Sequence, residues 1–486
     1  MTEGAREDAI VGDGVVAFVK RDCPTCQVVM PVLAELEDSG RLAAVYVQDD
    51  PGFFAGLGTC RDDTTLERSY RSEVDTVPTL IERSDGVESR RLVGWSREEW
   101  SDFFAAPELA AHLDLPPYRP GCGSLNVDPD RAASLEARFG DGLASRRVEL
   151  AGAEDPVEAF YDRGWTDGYP VVPPTPERVI RMLEGTTRAA HEVVAVVPPN
   201  LAECTVEKVA VNAVMAGCRP DYLPVVLTAL EAVCTDEFNM HGLLASTMAN
   251  GPIIVVNGPI RSAIGLGSGM SALGNDSRAN ATIGRAVQLV VRNVGGGAPG
   301  GVDRAALGQP AKTGLCFAEN EEDSPWSSHA TEHGIASDRS AVTVFAGEAP
   351  HQIVDQISRS PESLARSFAL ALRSMVHPKL AMVFDAILVV SPEHGARFRD
   401  AGWSRARLRE ELAGMLLMDA DELIRGAQGI EEGLPAGFAG AQIPKMRDGG
   451  LLIVHAGGPA GLFSAVIPGW INGDMGSQWQ IKTVDA

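Results

Sequence analysis

Positive charge is what this chain has least of for its size. Against 66 Asp and Glu it carries 42 Lys and Arg, a formal net charge of −24 at pH 7. A deficit of that kind argues against nucleic acid or an anionic membrane surface as the main partner, since both repel an acidic protein. Roughly half of the excess falls before residue 117, so the N-terminal part is the more densely negative. Long apolar runs are also missing. Segments such as Ala386–Val390 and Leu451–His455 are far shorter than the roughly 20 residues a membrane helix needs. Met1–Ala9 has neither a basic nor an apolar region, so no signal peptide is expected and the reading is a cytoplasmic, soluble bacterial protein. Thiols stay reduced in that compartment, so the 8 cysteines are read as redox-active or buried, not as a disulfide framework. No repeat of fixed period is visible. With 486 residues, 45% hydrophobic and 22% charged, the chain is globular and long enough for roughly two to four domains.

What is present is concentrated at Asp22-Cys23-Pro24-Thr25-Cys26. The apolar run Val15–Val19 precedes it, and Val28, Val29, Val32, Leu33 and Leu36 follow at helical spacing. Two cysteines at i and i+3 on a first helical turn can close a small disulfide. They can also hold one thiolate at the helix N-terminus, where the dipole and free N–H groups favour the anion. A zinc half-site would use the same spacing, but no second CxxC accompanies it. Beyond this helix the pattern predicts a strand at Leu42–Val47, a helix over Thr64–Ser72 and a strand after Thr76-Val77-Pro78-Thr79. A turn at Asp85-Gly86, a strand through Arg91–Val93 and a helix over Arg97–Phe104 capped by Ser96 complete the pattern.

Taken together, that element order, the CxxC and the Thr-Val-Pro-Thr some fifty residues on resemble the thioredoxin superfamily over about residues 10–106. The resemblance implies a thioredoxin-like fold for residues 1–110. It implies that Cys23 is the attacking thiolate, Cys26 the resolving thiol and Pro78 a cis-proline facing them, with Val77 offering its backbone to a bound partner. It further implies a redox-active Cys23–Cys26 disulfide as the only cofactor and an external thiol/disulfide reductase as partner. Two features depart from the family pattern. The intervening dipeptide is Pro24-Thr25, so no redox potential carries over. Asp22 replaces an aromatic residue, and its carboxylate is expected to raise the Cys23 pKa while Lys20 and Arg21 oppose it.

Residues 111–153 read as a connecting segment that begins stiffly at Leu115-Pro116-Pro117. Cys122, between Gly121 and Gly123, is either an acceptor of electrons from Cys23 or an incidental turn thiol. From residue 154 to 486 short apolar strands, such as Val193–Val197, Pro252–Val256, Ala341–Phe345, Ile387–Val390 and Leu451–Val454, alternate with longer helices, which predicts a large α/β or α+β domain or two interleaved halves. Gly164–Thr175, Met215–Pro220 and Arg278–Arg285 resemble a bacterial family that joins a thioredoxin-like module to a large domain of unassigned activity. That likeness adds architecture and no chemistry.

Several constellations in the large region are candidates for function. Cys218 lies at a helix junction beside Arg219, which favours a thiolate, and is the best second catalytic cysteine; a small buried residue is the other reading. Cys204, Cys234 and Cys316 read as core. The segment holding Gly267, Gly269 and Asn275 runs into a long helix carrying Arg278 and Arg285, with Arg261 upstream. Backbone N–H groups and guanidinium groups there are candidates for binding a small anionic substrate. No Gly-Lys-Ser/Thr closes it, so it is not a P-loop. Glu319–Asp323 is either a solvated acidic turn or a set of acid/base or metal-binding carboxylates. Glu348 and His351, after a buried strand, are candidates for general acid/base work. His241 and His455 are further ones, and no HxxxH or HExxH pair is expected, so no metal is assigned.

The function expected from these residues is a thiol-dependent oxidoreductase. Its CxxC module would exchange electrons with a large domain acting on a small anionic organic molecule. Sulfur transfer or carbon–sulfur lysis through a persulfide, and redox-regulated ligand binding without catalysis, are the alternatives. A homo-oligomer is compatible with all of them.

Overall fold

The computed structural model describes residues 13–140, 143–148, 150–151, 154–427 and 430–484. The chain divides into two compact units, one ending at Leu143 and the other starting at Ala144. Both mix helices with sheets, so the protein is of the α/β class. Among the described residues no helix is long and apolar enough to cross a membrane.

In the first unit β1 (Gly14–Val19) leads into α1 (Pro24–Asp38), followed by β2 (Ala44–Val47), β3 (Cys60–Asp62) and the short α2 (Glu67–Arg71). Then come β4 (Thr76–Val77), β5 (Thr79–Ser84), β6 (Val87–Val93), β7 (Trp95–Ser96) and α3 (Arg97–Phe103). One sheet runs in the order β3-β2-β1-β5-β6. β1 is parallel to β2 and antiparallel to β5. A central position buries a strand on both faces, so β1 reads as a continuous apolar run, with Val16 to Val19 at most 1% exposed. α1 lays Val29, Val32, Leu33 and Leu36 into the same core. α2 starts later than Thr64, because Asp63 accepts from the N–H groups of Arg68 and Ser69 and Leu66 turns into the left-handed region at φ 62°.

The stretch expected to be a connector carries structure of its own. β8 (Tyr118–Arg119) pairs with β7, and β9 (Cys122–Gly123) pairs with β4. A helix, Pro129–Phe139, follows. Trp95 and Trp100 meet edge to face at 5.0 Å behind this segment, and Trp95 Nε1 donates to Pro116 O at 2.7 Å.

In the second unit one eight-stranded sheet organises the fold. Leu315–Ala318 lies parallel to Gly251–Asn257, which is antiparallel to Ala341–Gly347. Leu451–His455 lies parallel to Phe384–Val390, which is antiparallel to Phe463–Ile471. The two similar sets meet where Gly347 faces Gly469. Glycine is required there: a Cβ on Gly469 would sit 2.6 Å from Asp385 O and 2.8 Å from Phe345 Cζ. The expected strands at Val193–Val197, Pro252–Val256, Ala341–Phe345, Ile387–Val390 and Leu451–Val454 are all present. Phe463–Ile471, one of the two strands at that junction, was not anticipated, because its apolar residues are interrupted by Ser464, Pro468 and Gly469.

Phe18 is fully buried and stacks on Tyr46 at 5.2 Å. Phe18→Ala should destabilise the first unit by about 3–5 kcal/mol. Hydrogen exchange followed by mass spectrometry checks this: protection should fall in peptides from residues 13–124 and persist in those from 154–484.

Candidate functional site

Cys23 is the N-cap of α1, and Pro24 occupies the first helical position, where its missing N–H costs nothing. The cap geometry points Cys23 Sγ back at the helix, where it accepts from Cys26 N–H at 3.3 Å. As a thiol it donates to Val77 O at 3.4 Å. The Val77–Pro78 peptide is cis. Both Cys23 and Cys26 are free thiols and fully buried.

Their acidities are split apart. The Cys26 thiol, hydrogen-bonded to Cys23, is the main force drawing Cys23 down to about 5; burial opposes it, and the Cys122 thiol and the Cys26 and Thr25 N–H groups assist. Cys26 moves the other way, pushed well above the thiol range by burial and then by the neighbouring Cys23 sulfur. Burial also raises Cys122, with Cys23 adding to it. Asp22 does not act on Cys23 as expected. Its carboxylate turns to Arg21 Nε at 3.2 Å, and Arg21 and Asp22 N–H groups both donate to Asp49.

Cys122 stands directly opposite Val77 in the β4–β9 ladder. Thr25 Oγ1 donates to Pro120 O at 2.6 Å and Lys20 Nζ donates to Gly123 O at 2.7 Å. Cys23, Cys26, Pro78 and Cys122 therefore form one site.

The residues singled out in the large unit do not assemble in the same way. Cys218 is buried and donates to Thr282 O at 3.5 Å, and burial pushes its thiol up to about 12. Arg219, expected to favour a thiolate there, pairs with Asp221. Cys204 and Cys234 are pushed up to about 12 by burial too, and Cys316 is raised by the same cause.

Of the three arginines expected to clamp an anion, Arg261 and Arg285 are already spoken for, while Arg278 is exposed and only partly engaged. Arg261 is buried against Glu321 and Glu322 and donates to Glu319 O. Arg285 grips Asp167 with two bonds of 2.8 Å. Arg278 donates to Gly217 O at 2.7 Å. Gly267 N–H is taken by Asn280 Oδ1 at 2.8 Å, while Gly269 is partly and Asn275 fully exposed. A guanidinium whose N–H groups are filled by protein oxygens has little left for a ligand.

Glu348 is half-buried and raised by burial, and His351 beside it is exposed. Neither lines the cavity of about 350 Å³ nearby, whose walls include Met270, Ser271, Gln352, Ser391, Phe463 and Ser464. At its edge Ser464 Oγ lies 2.7 Å from His394 Nδ1, and His394 Nε2 lies 3.2 Å from Asp355 O.

The acidic run is not a solvated turn at its first residue. Glu319 is fully buried, pairs with Arg405 at 3.0 Å, and accepts from Asn257 Nδ2 at 2.7 Å and His329 N–H at 2.6 Å. Burial raises its carboxyl, and the Arg405 guanidinium works against that. His329 and His333 do have the HxxxH spacing, and with Glu332 they bring ligand atoms within 4.8 Å of one another. Both Glu332 oxygens, however, already accept from Arg405 and Arg409, two cations that oppose a metal ion. That spacing was legible in the sequence; the two arginines were not.

Two outcomes follow. Thiolate absorbance at 240 nm in the reduced protein should rise with a midpoint near pH 5, so the anion is present above that pH and lost below it; the step should vanish in Cys23→Ser. Arg405→Met leaves Glu319 buried without its cation and should cost about 3–5 kcal/mol in urea denaturation. No family model matches this chain, and no curated protein is similar to it.

Proposed function

We propose that the protein is a thiol–disulfide oxidoreductase whose thioredoxin-like module works through Cys23 and Cys26. The observation that carries this reading is the placement of Cys23 Sγ at the N-cap of α1, taking the Cys26 N–H at 3.3 Å beside the cis Val77–Pro78 peptide, an arrangement that lowers the Cys23 thiol and leaves Cys26 raised by burial. Such a pair divides the labour of exchange.

The Cys23 thiolate attacks one sulfur of a disulfide presented to it, forming a mixed disulfide and releasing the other sulfur as a thiol. That step removes the charge on Cys23, which is one of the causes holding Cys26 protonated. Cys26 then gives up its proton and attacks Cys23 Sγ. The second substrate thiol leaves, and Cys23 and Cys26 are left as a disulfide. Two electrons and two protons have passed to the substrate, and an external dithiol reductase restores the pair.

The large unit is the part that takes the small molecule. Its cavity is lined by hydroxyl, amide and apolar groups with no cation among them. Those walls suit a neutral, hydrogen-bonding compound better than the anion expected from Arg261, Arg278 and Arg285.

Catalysed reduction of oxidised glutathione by dithiothreitol tests the exchange chemistry. Cys23→Ser should reduce turnover by about 100-fold or more. Cys26→Ser should stop after the first attack with a disulfide left on Cys23. Turnover that survives Cys23→Ser would overturn the assignment.

A further inference from the structure

We propose that Cys122 is the thiol through which the buried Cys23–Cys26 pair exchanges electrons with disulfides outside, and that β8–β9 is a self-docked strand that delivers it. The inference rests on the dithiol reading above and adds the group that meets the substrate.

Access comes first. Cys23 and Cys26 are both 0% exposed, whereas Cys122 is only partly covered. With the strand seated, Cys23 has no exposed surface and Cys122 is the thiol of the three nearest to solvent. The seat itself is built in detail. β9 adds antiparallel to the edge of β4, so that Thr76 faces Gly123 and Val77 faces Cys122. Laying an extended segment on a free strand edge is a general way to hold a peptide, with the backbone supplying affinity and alternate side chains turned to the receiving surface. Here the peptide belongs to the same chain. Thr25, inside the CxxC, donates to Pro120 O, and Lys20 donates to Gly123 O. Ser124 N–H donates to Asp75 O at 2.9 Å. At Gly121 a Cβ would lie 2.3 Å from Thr76 Cγ2 and 2.9 Å from Val77 O, so only glycine lets the strand come this close. The result places Cys122 opposite Val77, whose carbonyl accepts from Cys23 Sγ at 3.4 Å, so the two thiols are neighbours.

The chemistry balances with an external disulfide, R–S–S–R, as oxidant. Cys122 loses its proton to solvent and attacks one sulfur of R–S–S–R, forming a Cys122–S–S–R mixed disulfide; the other sulfur takes a proton from solvent and leaves as a thiol. The Cys23 thiolate then attacks Cys122 Sγ. A Cys23–Cys122 disulfide forms and the second thiol leaves. Cys26 then attacks Cys23 Sγ, giving the Cys23–Cys26 disulfide and regenerating the Cys122 thiol. The net transfer is two electrons from Cys23 and Cys26 to R–S–S–R.

The experiment treats the reduced full-length protein with one equivalent of oxidised glutathione, blocks remaining thiols, and maps disulfides by mass spectrometry without reduction. Cys26→Ser should accumulate a Cys23–Cys122 disulfide free of glutathione. Cys23→Ser should retain glutathione on Cys122. Cys122→Ser should form Cys23–Cys26 about tenfold or more slowly, having lost an intramolecular step. Gly121→Val keeps every thiol and unseats the strand, so Cys23 should become open to iodoacetamide and its oxidation independent of Cys122. The proposal fails if Cys122→Ser forms Cys23–Cys26 at the wild-type rate, if Cys26→Ser holds glutathione on Cys23, or if Gly121→Val leaves Cys23 as shielded as before. Failure of the underlying dithiol reading looks different: the wild-type protein would then form no Cys23–Cys26 disulfide at all.

Discussion

Negative charge on Cys23 Sγ is stabilised by hydrogen bonds that only a helix start can supply. The sulfur caps α1 and takes the Cys26 N–H, while thiols from Cys26 and Cys122 share in holding the charge. Burial opposes the charge, so these donors, two from the first turn of α1 and one from β9, have to outweigh it. The separation of Cys23 from Cys26 follows from the same arrangement, because a sulfur that holds charge makes its neighbour harder to ionise. In the proposed exchange, attack and resolution would therefore be ordered by electrostatics, the first step removing a charge that holds Cys26 protonated.

In the proposed exchange the same constraint gives the β8–β9 segment a part in the chemistry. A thiolate open to solvent is exposed to oxidants. β8 and β9 close over the pair and contribute the third thiol, and Gly121 permits an approach that any side chain would block. The cover and the third thiol are one structural element.

In the large unit a comparable centre is built from opposite charges. Glu319 ends a buried strand and is held by Asn257, Arg405 and two backbone N–H groups. Arg405 is shared with Glu332, and Arg261 links Glu321 and Glu322 to the backbone of Glu319. A buried network of this kind is held together by mutual satisfaction of its members, so the arginines in it serve the fold and leave little for a ligand.

Local physics made much of this legible. The apolar run of β1, the CxxC on the first turn of α1, the spacing of Val29, Val32, Leu33 and Leu36, and the strands at Ala341–Phe345 and Leu451–Val454 all follow from periodicity and caps read over a few residues. Those features determined the α/β class and singled out Cys23 and Cys26 as the candidate redox pair. The tertiary structure decided what depends on distant segments meeting. It placed Cys122 against Val77 and Cys23, turned Asp22 toward Arg21, buried Glu319 and Cys218, and committed Arg261, Arg278 and Arg285 to protein oxygens. Residue type says which groups can ionise or bond; desolvation and the choice of partner are set only when the chain closes around them, and no window of neighbouring residues contains that information.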